Sequence, residues 1–344
     1  MYQYQGDRRV LEEHYDGVKA WTDYQRKRSQ DGLLTYSYYG DWVPVEKTPG
    51  SLVSTFYYYY SAHLVSRMAE ILGKSADAEA YRKLAGEVQE AFDRKFWNAD
   101  TQFYGNGSQT SQILPLYLEL APKDRRGRAY SWLRDDIVYR NNTHLTAGIL
   151  GTKYVMELLT RGNNSDLAYE LATQTSYPSW GYMIENGATT LWELWQNKTG
   201  PSMNSHNHPM FGSVGAWFYN ALAGINLDPA RPGFERIRFE PQAVRDLRWA
   251  SGSLETLRGA VSSSWARSDD SFRWEVVIPV GSEAELHIPK LGLSAVVVKE
   301  SSRVVWEKDA YQPGAPGLSG ARQTDRAVIF QAGSGSYVFE LTGN

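Results

Sequence analysis

The sequence contains no cysteine, which excludes disulfide bonds, thiolate metal sites and a cysteine nucleophile. A chain of this kind is compatible with a reducing compartment. The sequence also lacks any apolar run approaching the ~20 residues that a membrane-spanning helix requires. Its first segment, Met1–Arg9, is polar and has no signal-peptide core. We therefore expect a soluble, cytoplasmic protein that does not associate with membranes.

A strong net charge is absent as well. The formal net charge of −3 at pH 7 gives no electrostatic attraction for nucleic acid. Phosphate-binding glycine loops, His-Glu-x-x-His zinc motifs and the Gly-x-Ser-x-Gly nucleophile motif are also missing. The six histidines are scattered along the chain, so we expect no cofactor and no metal. An all-oxygen calcium site is the one metal site that these patterns leave open.

Aromatic residues are abundant, with 12 tryptophans and 23 tyrosines. They are concentrated in residues 177–195, where five tryptophan or tyrosine rings surround the carboxylates of Glu185 and Glu193. Aromatic rings stack on the apolar faces of sugars, and carboxylates bond hydroxyls or act on the glycosidic bond. A carbohydrate-binding cleft is therefore one interpretation of this segment. A buried aromatic loop whose glutamates pair with arginines is the other, and the residues alone favour neither.

Helical periodicity dominates the first two thirds of the chain. Ser51 and Ser75 are predicted N-caps, and Gly73 is a predicted helix-terminating glycine. Asp135 and Asp136 are expected to be solvated on a helix face. Longer loops are expected at 33–50, 98–108, 139–146 and 175–210. This pattern predicts a toroid of helical hairpins with a cleft built by the loops on one face. The eight predicted helices cover residues 8–29, 51–72, 75–96, 109–120, 124–139, 146–161, 165–174 and 211–223.

The pattern changes near residue 226, after which apolar and polar residues alternate in short runs separated by Gly, Ser, Pro and Asp. Such runs predict an antiparallel β-sandwich. We therefore expect a helical domain over residues 1–225 and a β-sandwich domain over residues 226–344. The predicted strands cover residues 234–239, 271–279, 284–288, 295–299, 303–306, 327–330 and 336–341.

Five segments, taken in order along the chain, resemble bacterial α-L-rhamnosidases of glycoside hydrolase family 78. They are Tyr39–Trp42, Gly107–Leu116, His144–Thr152, Tyr177–Trp195 and Asn207–Gly215. The resemblance implies a catalytic (α/α)6 barrel followed by a small β-sandwich. It also implies a hydrolase that releases terminal α-L-rhamnose from glycosides or polysaccharides with inversion, without a cofactor.

By the same resemblance Glu193 is the general base. An inverting base activates a water opposite a protonated acid, and the two carboxyl groups lie roughly 6.5–9.5 Å apart. Trp192 and Trp195 are expected to shield Glu193 and orient the sugar. The alternative for Glu193 is a glutamate at the start of a helix, stabilised by the helix dipole.

The resemblance assigns substrate contacts to other residues. Trp42 would form an apolar wall against the 6-deoxy methyl group, and Asp41 would line the same pocket. His208 would bond the sugar, although His206 leaves the register ambiguous. Trp180 is expected to stack on a sugar, and Glu185 to bond a hydroxyl. Gln109 and His144 are expected to serve in caps or packing.

Two features of the family are missing from the sequence. A complete barrel has twelve helices, and the family's general acid lies in an upstream Cys-Pro-Gln-Arg-type segment. We therefore expect a truncated barrel with low activity on its own and an open apolar flank that permits oligomerisation. Two alternatives stay open: a non-catalytic carbohydrate-binding remnant, and another six-hairpin glycosidase or lyase that uses Glu185 or Asp41 as its acid.

Overall fold

The structure, a computed structural model, describes residues 1–343. These residues form two compact units, one of residues 11–214 and one of residues 1–10 together with 215–343. No helix within residues 1–343 combines the length and apolarity needed to cross a membrane. The helices are α1 (Tyr2–Gln5), α2 (Arg9–Arg28), α3 (Gly50–Leu72), α4 (Ser75–Phe96), α5 (Gln109–Tyr117), α6 (Lys123–Asp135), α7 (Ile149–Arg161), α8 (Ser165–Thr173), α9 (Trp180–Glu185) and α10 (Ser213–Trp217).

All eight predicted helices are present, with differences at their ends. The helix predicted to reach residue 139 changes from α to π geometry over Asp136–Arg140. The last one consists of a 3-10 turn (Pro209–Gly212), α10 and a π-helical turn (Phe218–Leu222). The short helices α1 and α9 were not predicted. Neither predicted serine cap is correct, because α3 starts after Pro49 and α4 after Lys74.

The core of the helical unit includes the facing sides of α2, α3 and α4. Tyr15, Tyr58, Val65 and Leu84 are among the buried side chains of this cluster. Tyr15 of α2 and Tyr81 of α4 are buried, and their hydroxyl groups are hydrogen-bonded. Tyr15 donates to Asp77 at 2.8 Å, and Tyr81 donates to a carboxylate on α2. Burial of the rings therefore leaves neither hydroxyl without a partner.

Gly73 ends α3 and turns the chain into α4, as predicted. Its φ of 74° is left-handed, and its N–H donates to the carbonyl oxygens of Ala69 and Glu70. A side chain disfavours this conformation because Cβ approaches the following carbonyl oxygen. The glycine thus allows a short connection between two antiparallel helices.

The second unit contains two sheets. Their strands are β3 (Ile225–Leu227), β4 (Arg236–Phe239), β5 (Trp249–Thr256), β6 (Gly259–Arg267), β7 (Ser271–Ile278), β8 (Glu283–Pro289), β9 (Val297–Glu300), β10 (Arg303–Glu307), β11 (Ala310–Tyr311), β12 (Leu318–Gln323), β13 (Ala327–Ala332) and β14 (Gly335–Thr342). The larger sheet has seven strands in the order β11-β10-β9-β14-β7-β6-β5, and the smaller has five in the order β12-β13-β8-β4-β3. A small hairpin in the helical unit supplies β1 (Trp97–Asn98) and β2 (Phe103–Tyr104).

One buried cluster joins the inner faces of both sheets, including Phe239, Trp274 and Phe339. The indole N–H of Trp274 is satisfied, because it donates to Ser263 Oγ at 2.9 Å. Ser263 Oγ in turn donates to the Ala223 carbonyl oxygen at 2.6 Å. The predicted fold class, helices followed by an antiparallel β-sandwich, is confirmed, with one parallel pair between β4 and β8. Five strands of this unit, β3, β5, β6, β11 and β12, were not predicted.

The turn at Gly73 yields a first prediction. Nothing lies within 4 Å of a Cβ built on Gly73, so Gly73→Ala tests backbone strain without steric overlap. We expect it to lower the free energy of unfolding by about 1 kcal/mol, measured by urea titration.

Gly86→Ala is the matched control. Gly86 lies inside α4 and also has open space around its Cβ position. There alanine is favoured in the helix, so stability should rise by up to about 1 kcal/mol. Equal effects of the two substitutions would contradict the role assigned to Gly73.

Candidate active site

The site begins with a buried carboxylate that fixes the loop before α3 to the start of α7. Asp41 Oδ2 accepts hydrogen bonds from the Thr110 hydroxyl at 2.5 Å and the Gly148 N–H at 2.8 Å. Asp41 Oδ1 accepts from the N–H groups of Leu150 at 2.9 Å and Gly151 at 3.5 Å. Burial raises the pKa of Asp41, and these four donors oppose that rise. The position at a helix N-terminus favours a negative charge.

Gly148 makes this close approach possible. A Cβ at Gly148 would lie 2.1 Å from the Trp42 carbonyl oxygen and 2.7 Å from Asp41 Oδ1. The same carbonyl oxygen accepts the Ile149 N–H at 3.0 Å. Any larger residue at 148 would therefore push apart the loop and α7. The orientation of Trp42 depends on this contact.

Trp42 connects this loop to Glu193 through a hydrogen bond. The indole Nε1 of Trp42 donates to Glu193 Oε1 at 2.8 Å, across 151 positions of sequence. The Glu193 side chain is only 12% exposed. Among residues 1–343 no hydrogen bond reaches its second oxygen, Oε2. Glu193 is thus a held carboxylate with one oxygen available to a ligand or a water.

His208 lies beside this carboxylate because two chain segments are joined by backbone hydrogen bonds. The Glu193 N–H donates to the Ser205 carbonyl oxygen, and the His208 N–H donates to the Leu191 carbonyl oxygen, both at 2.9 Å. His208 Nε2 is consequently 4.0 Å from Glu193 Oε1. His208 Nδ1 accepts the Met210 N–H at 3.4 Å, which assigns the proton of the neutral ring to Nε2.

Beneath these groups lies a cluster of aromatic rings. Trp195 is fully buried, stacks on Phe211 with ring centroids 4.0 Å apart, and contacts Trp180 edge to face at 5.4 Å. The indole N–H of Trp195 donates to the Ala147 carbonyl oxygen, and that of Trp180 to the Phe211 carbonyl oxygen, each at 3.0 Å. These rings support the loop from below and have no free polar atom for a ligand.

Trp42 and His208 both lie next to Glu193. The contacts that they were predicted to make with a sugar remain predictions. It gives other predicted site residues different surroundings. Asp41 is 4% exposed with its oxygens occupied, and Trp180 is 7% exposed within the core. Trp192 is also buried, with its ring 5.2 Å from that of His206. Glu185 is exposed at the end of α9. Sequence patterns identify ring types but not which rings the fold buries.

A second buried network supports the loop that leads into α7. Gln109 is fully buried, with Nε2 donating to Asp136 Oδ2 and the His144 carbonyl oxygen, both at 3.1 Å. Gln109 Oε1 accepts the Thr146 N–H at 2.9 Å. Gln109 and His144 are structural, as predicted. The prediction that Asp136 is solvated is wrong: the side chain is buried, which raises its pKa.

Within residues 1–343 the site has no cluster of metal ligands. No group of three or more His, Asp or Glu side chains suited to a metal ion occurs within residues 1–343. An open depression of about 600 Å³ lies elsewhere on the helical unit, and none of the predicted site residues lines it. Its lining comprises Pro49, Ser51, Lys95–Ala99, Gly105 and Asn106.

Sequence reasoning missed the residues that hold the site. Thr110 and Gly148 lie in segments quoted for the resemblance, but neither was assigned a role. Tyr38 and Tyr39, which lead away from Trp42, were also missed. The sequence does contain a pattern that could have singled them out, because three tyrosines fall within four positions of a turn-rich loop.

A shielded carboxylate beside an indole and an imidazole is an arrangement found in sites that act on sugars. Comparisons with known proteins agree. A protein-family model described as the bacterial alpha-L-rhamnosidase 6 hairpin glycosidase domain matches residues 1–222. The bacterial alpha-L-rhamnosidase C-terminal domain matches residues 224–303. The chain belongs to the bacterial α-L-rhamnosidase family.

Individual relatives carry the same name. An alpha-L-rhamnosidase from Streptomyces avermitilis is 34% identical over 348 residues, covering 99% of this chain and 32% of that protein. One from Alteromonas sp. (strain LOR) is 32% identical over 307 residues, covering 84% of this chain and 33% of that protein. The chain therefore spans about a third of the length of the curated relatives it matches.

Solved structures give the same assignment. The alpha-L-rhamnosidase from Dictyoglumus thermophilum aligns with a TM-score of 0.91 and 40% identity, covering 99% of this chain and 38% of that chain. The Streptomyces avermitilis enzyme in complex with L-rhamnose aligns with a TM-score of 0.87 and 32% identity, covering 98% and 31% respectively.

The contacts of Asp41 yield a second prediction. Asp41→Asn keeps the shape but replaces one acceptor oxygen with an amide that faces backbone N–H groups. Loss of a hydrogen bond to a buried charged group should lower the free energy of unfolding by about 2 kcal/mol. Urea titration measures this change.

Asp135→Asn is the matched control, because the Asp135 side chain is half-exposed and pairs with the exposed Arg134 at 2.9 Å. Its effect should stay within about 0.5 kcal/mol. A loss for Asp41→Asn no larger than that of the control would show that Asp41 does not anchor the loop.

Proposed function

We propose that this chain forms the general-base side of an inverting α-L-rhamnosidase active site, with Glu193 as the base. The observation that carries the proposal is the state of the Glu193 carboxylate. One oxygen is held by the Trp42 indole, the other is available, and the side chain is largely shielded. A general base needs this combination, because it must be fixed in place and still have a lone pair for water.

The other two groups fit the same chemistry. Activation of water moves a proton to Glu193, and the water oxygen attacks the anomeric carbon from the face opposite the leaving group. His208 Nε2, which carries the proton of the neutral ring, lies 4.0 Å from Glu193 Oε1. It can therefore donate to a sugar hydroxyl that contacts both groups. A hydroxyl bound in this way is oriented relative to the base.

Specificity for rhamnose rests on Trp42. A 6-deoxy sugar presents a methyl group where other hexoses carry a hydroxyl, and an apolar wall favours the methyl group. Trp42 is half-buried, with its N–H engaged by Glu193, so the remaining ring surface is apolar. Terminal α-L-rhamnose of glycosides or polysaccharides is the proposed substrate.

The alternative that uses Asp41 as an acid is disfavoured by its surroundings. Both of its oxygens accept hydrogen bonds, and the side chain is closed off from ligands. A carbohydrate-binding protein without catalysis differs from the proposal only in turnover. The test must therefore measure binding and hydrolysis separately.

A third prediction follows for Glu193→Gln. The amide oxygen still accepts the Trp42 N–H, but the side chain no longer takes a proton. Hydrolysis of an aryl α-L-rhamnoside by the chain should fall at least about 100-fold, with L-rhamnose binding retained. The aryl leaving group needs little protonation, so this substrate isolates the contribution of the base.

Glu79→Gln is the matched control, since Glu79 is exposed and pairs with Arg82 on α4. It should leave the rate unchanged. Undiminished hydrolysis in Glu193→Gln would exclude Glu193 as the base. If the wild-type chain is inactive but its melting temperature rises with L-rhamnose, the binding protein is supported instead. If it neither hydrolyses the rhamnoside nor is stabilised by L-rhamnose, both functions are refuted.

A further inference from the structure

A line of aromatic rings leads away from Glu193 toward solvent. Trp42, which bonds Glu193, contacts Tyr39 at right angles with ring centroids 5.2 Å apart. Tyr39 contacts Tyr38 at 4.6 Å and an interplanar angle of 78°. Tyr38 is 76% exposed and Tyr39 is 65% exposed. Clustered aromatic surface of this kind marks a binding site more often than scattered exposed rings do.

The exposure of these rings is not the result of a loose loop. Thr55 Oγ1 accepts the Leu34 N–H at 3.1 Å, and the Asp41 carboxylate is fixed to α7. On the far side, the Val45 N–H donates to the Thr146 carbonyl oxygen at 2.9 Å. Between these anchors the Gly40 N–H donates to Ser37 Oγ at 3.1 Å. The tyrosines are therefore presented to solvent by a backbone that is fixed on both sides.

The chemistry of the loop limits what the rings can hold. Within residues 32–45 the only charged side chain is Asp41, and its carboxylate is buried. Residues 32–45 therefore add no exposed charge beside Tyr38 and Tyr39. Two rings near a right angle form a corner in which a third ring lies on one face and meets the edge of the other.

We infer that Tyr38 and Tyr39 form a subsite for the leaving group, and that this subsite takes a neutral ring attached to the rhamnose. The inference rests on the proposed function, because it requires the sugar to lie against Trp42 and Glu193. The shared chemistry is a ring with an apolar face, supplied by an aryl group or by a neutral sugar. An acidic sugar gains less from the corner, because residues 32–45 carry no cation.

The fourth prediction concerns binding in the Glu193→Gln background, where bound rhamnosides are not turned over. Isothermal titration with L-rhamnose, phenyl α-L-rhamnoside and rhamnose α-linked to glucose separates the sugar site from the subsite. Tyr38→Ala should weaken binding of the two ring-bearing compounds about three- to tenfold and leave L-rhamnose within about twofold. A larger loss for phenyl than for glucosyl identifies the aryl group as the preferred ring, and the reverse identifies the sugar.

Two controls accompany this test. Tyr38→Phe keeps the ring and should bind like the parent, and Tyr36→Ala removes an equally exposed tyrosine of the same loop without effect. Unchanged affinity for both ring-bearing compounds in Tyr38→Ala, with L-rhamnose still bound, would overturn the subsite and leave the proposed function standing. A parent protein that does not bind L-rhamnose would overturn the proposed function and this inference with it.

Discussion

The burial of one carboxylate constrains everything else in the site. An unpaired charge in a protein interior costs several kcal/mol, so Asp41 must be surrounded by donors. The backbone of α7 and the Thr110 hydroxyl supply them, and Gly148 leaves the space that they need. The loop cannot shift without breaking several of these hydrogen bonds together. Trp42 is the next residue, so its indole is held in the same place. The hydrogen bond from the indole N–H then fixes the Glu193 carboxylate.

The tryptophans of the helical unit differ in what their indole N–H bonds, and this difference separates their roles. In Trp180 and Trp195 the partner is a backbone carbonyl oxygen, and both rings are buried as part of the core. In Trp42 the partner is the Glu193 carboxylate, and the ring stays partly open to solvent. Core rings fix the shape of the support, and the indole of Trp42 orients a charged group. An aromatic-rich segment therefore contains both kinds of residue.

Periodicity was sufficient to predict the helices and most strands, because amphipathic faces are local patterns. It failed for β5 and β6, whose serine-rich and glycine-containing sequences are held by neighbouring strands and have little alternation of their own. It also failed for α9, where Ser179 caps a single short helix by accepting the Tyr182 N–H at 3.0 Å. In the site, residue types predicted Trp42, Glu193 and His208 as neighbours only through resemblance. Burial of Asp41 depends on residues more than 60 positions away, which no local pattern reveals.

The two backbone hydrogen bonds beside Glu193 divide the long loop into parts with different freedom. Residues 197–202 are exposed and lie between positions 193 and 205, which are already joined. We expect changes of sequence or length there to leave the Glu193 carboxylate in place. Between Ser205 and His208 the situation is reversed, because both ends of this short segment are bonded. One added residue there would turn the imidazole away from Glu193. We therefore expect residues 197–202 to tolerate variation better than the segment between Ser205 and His208.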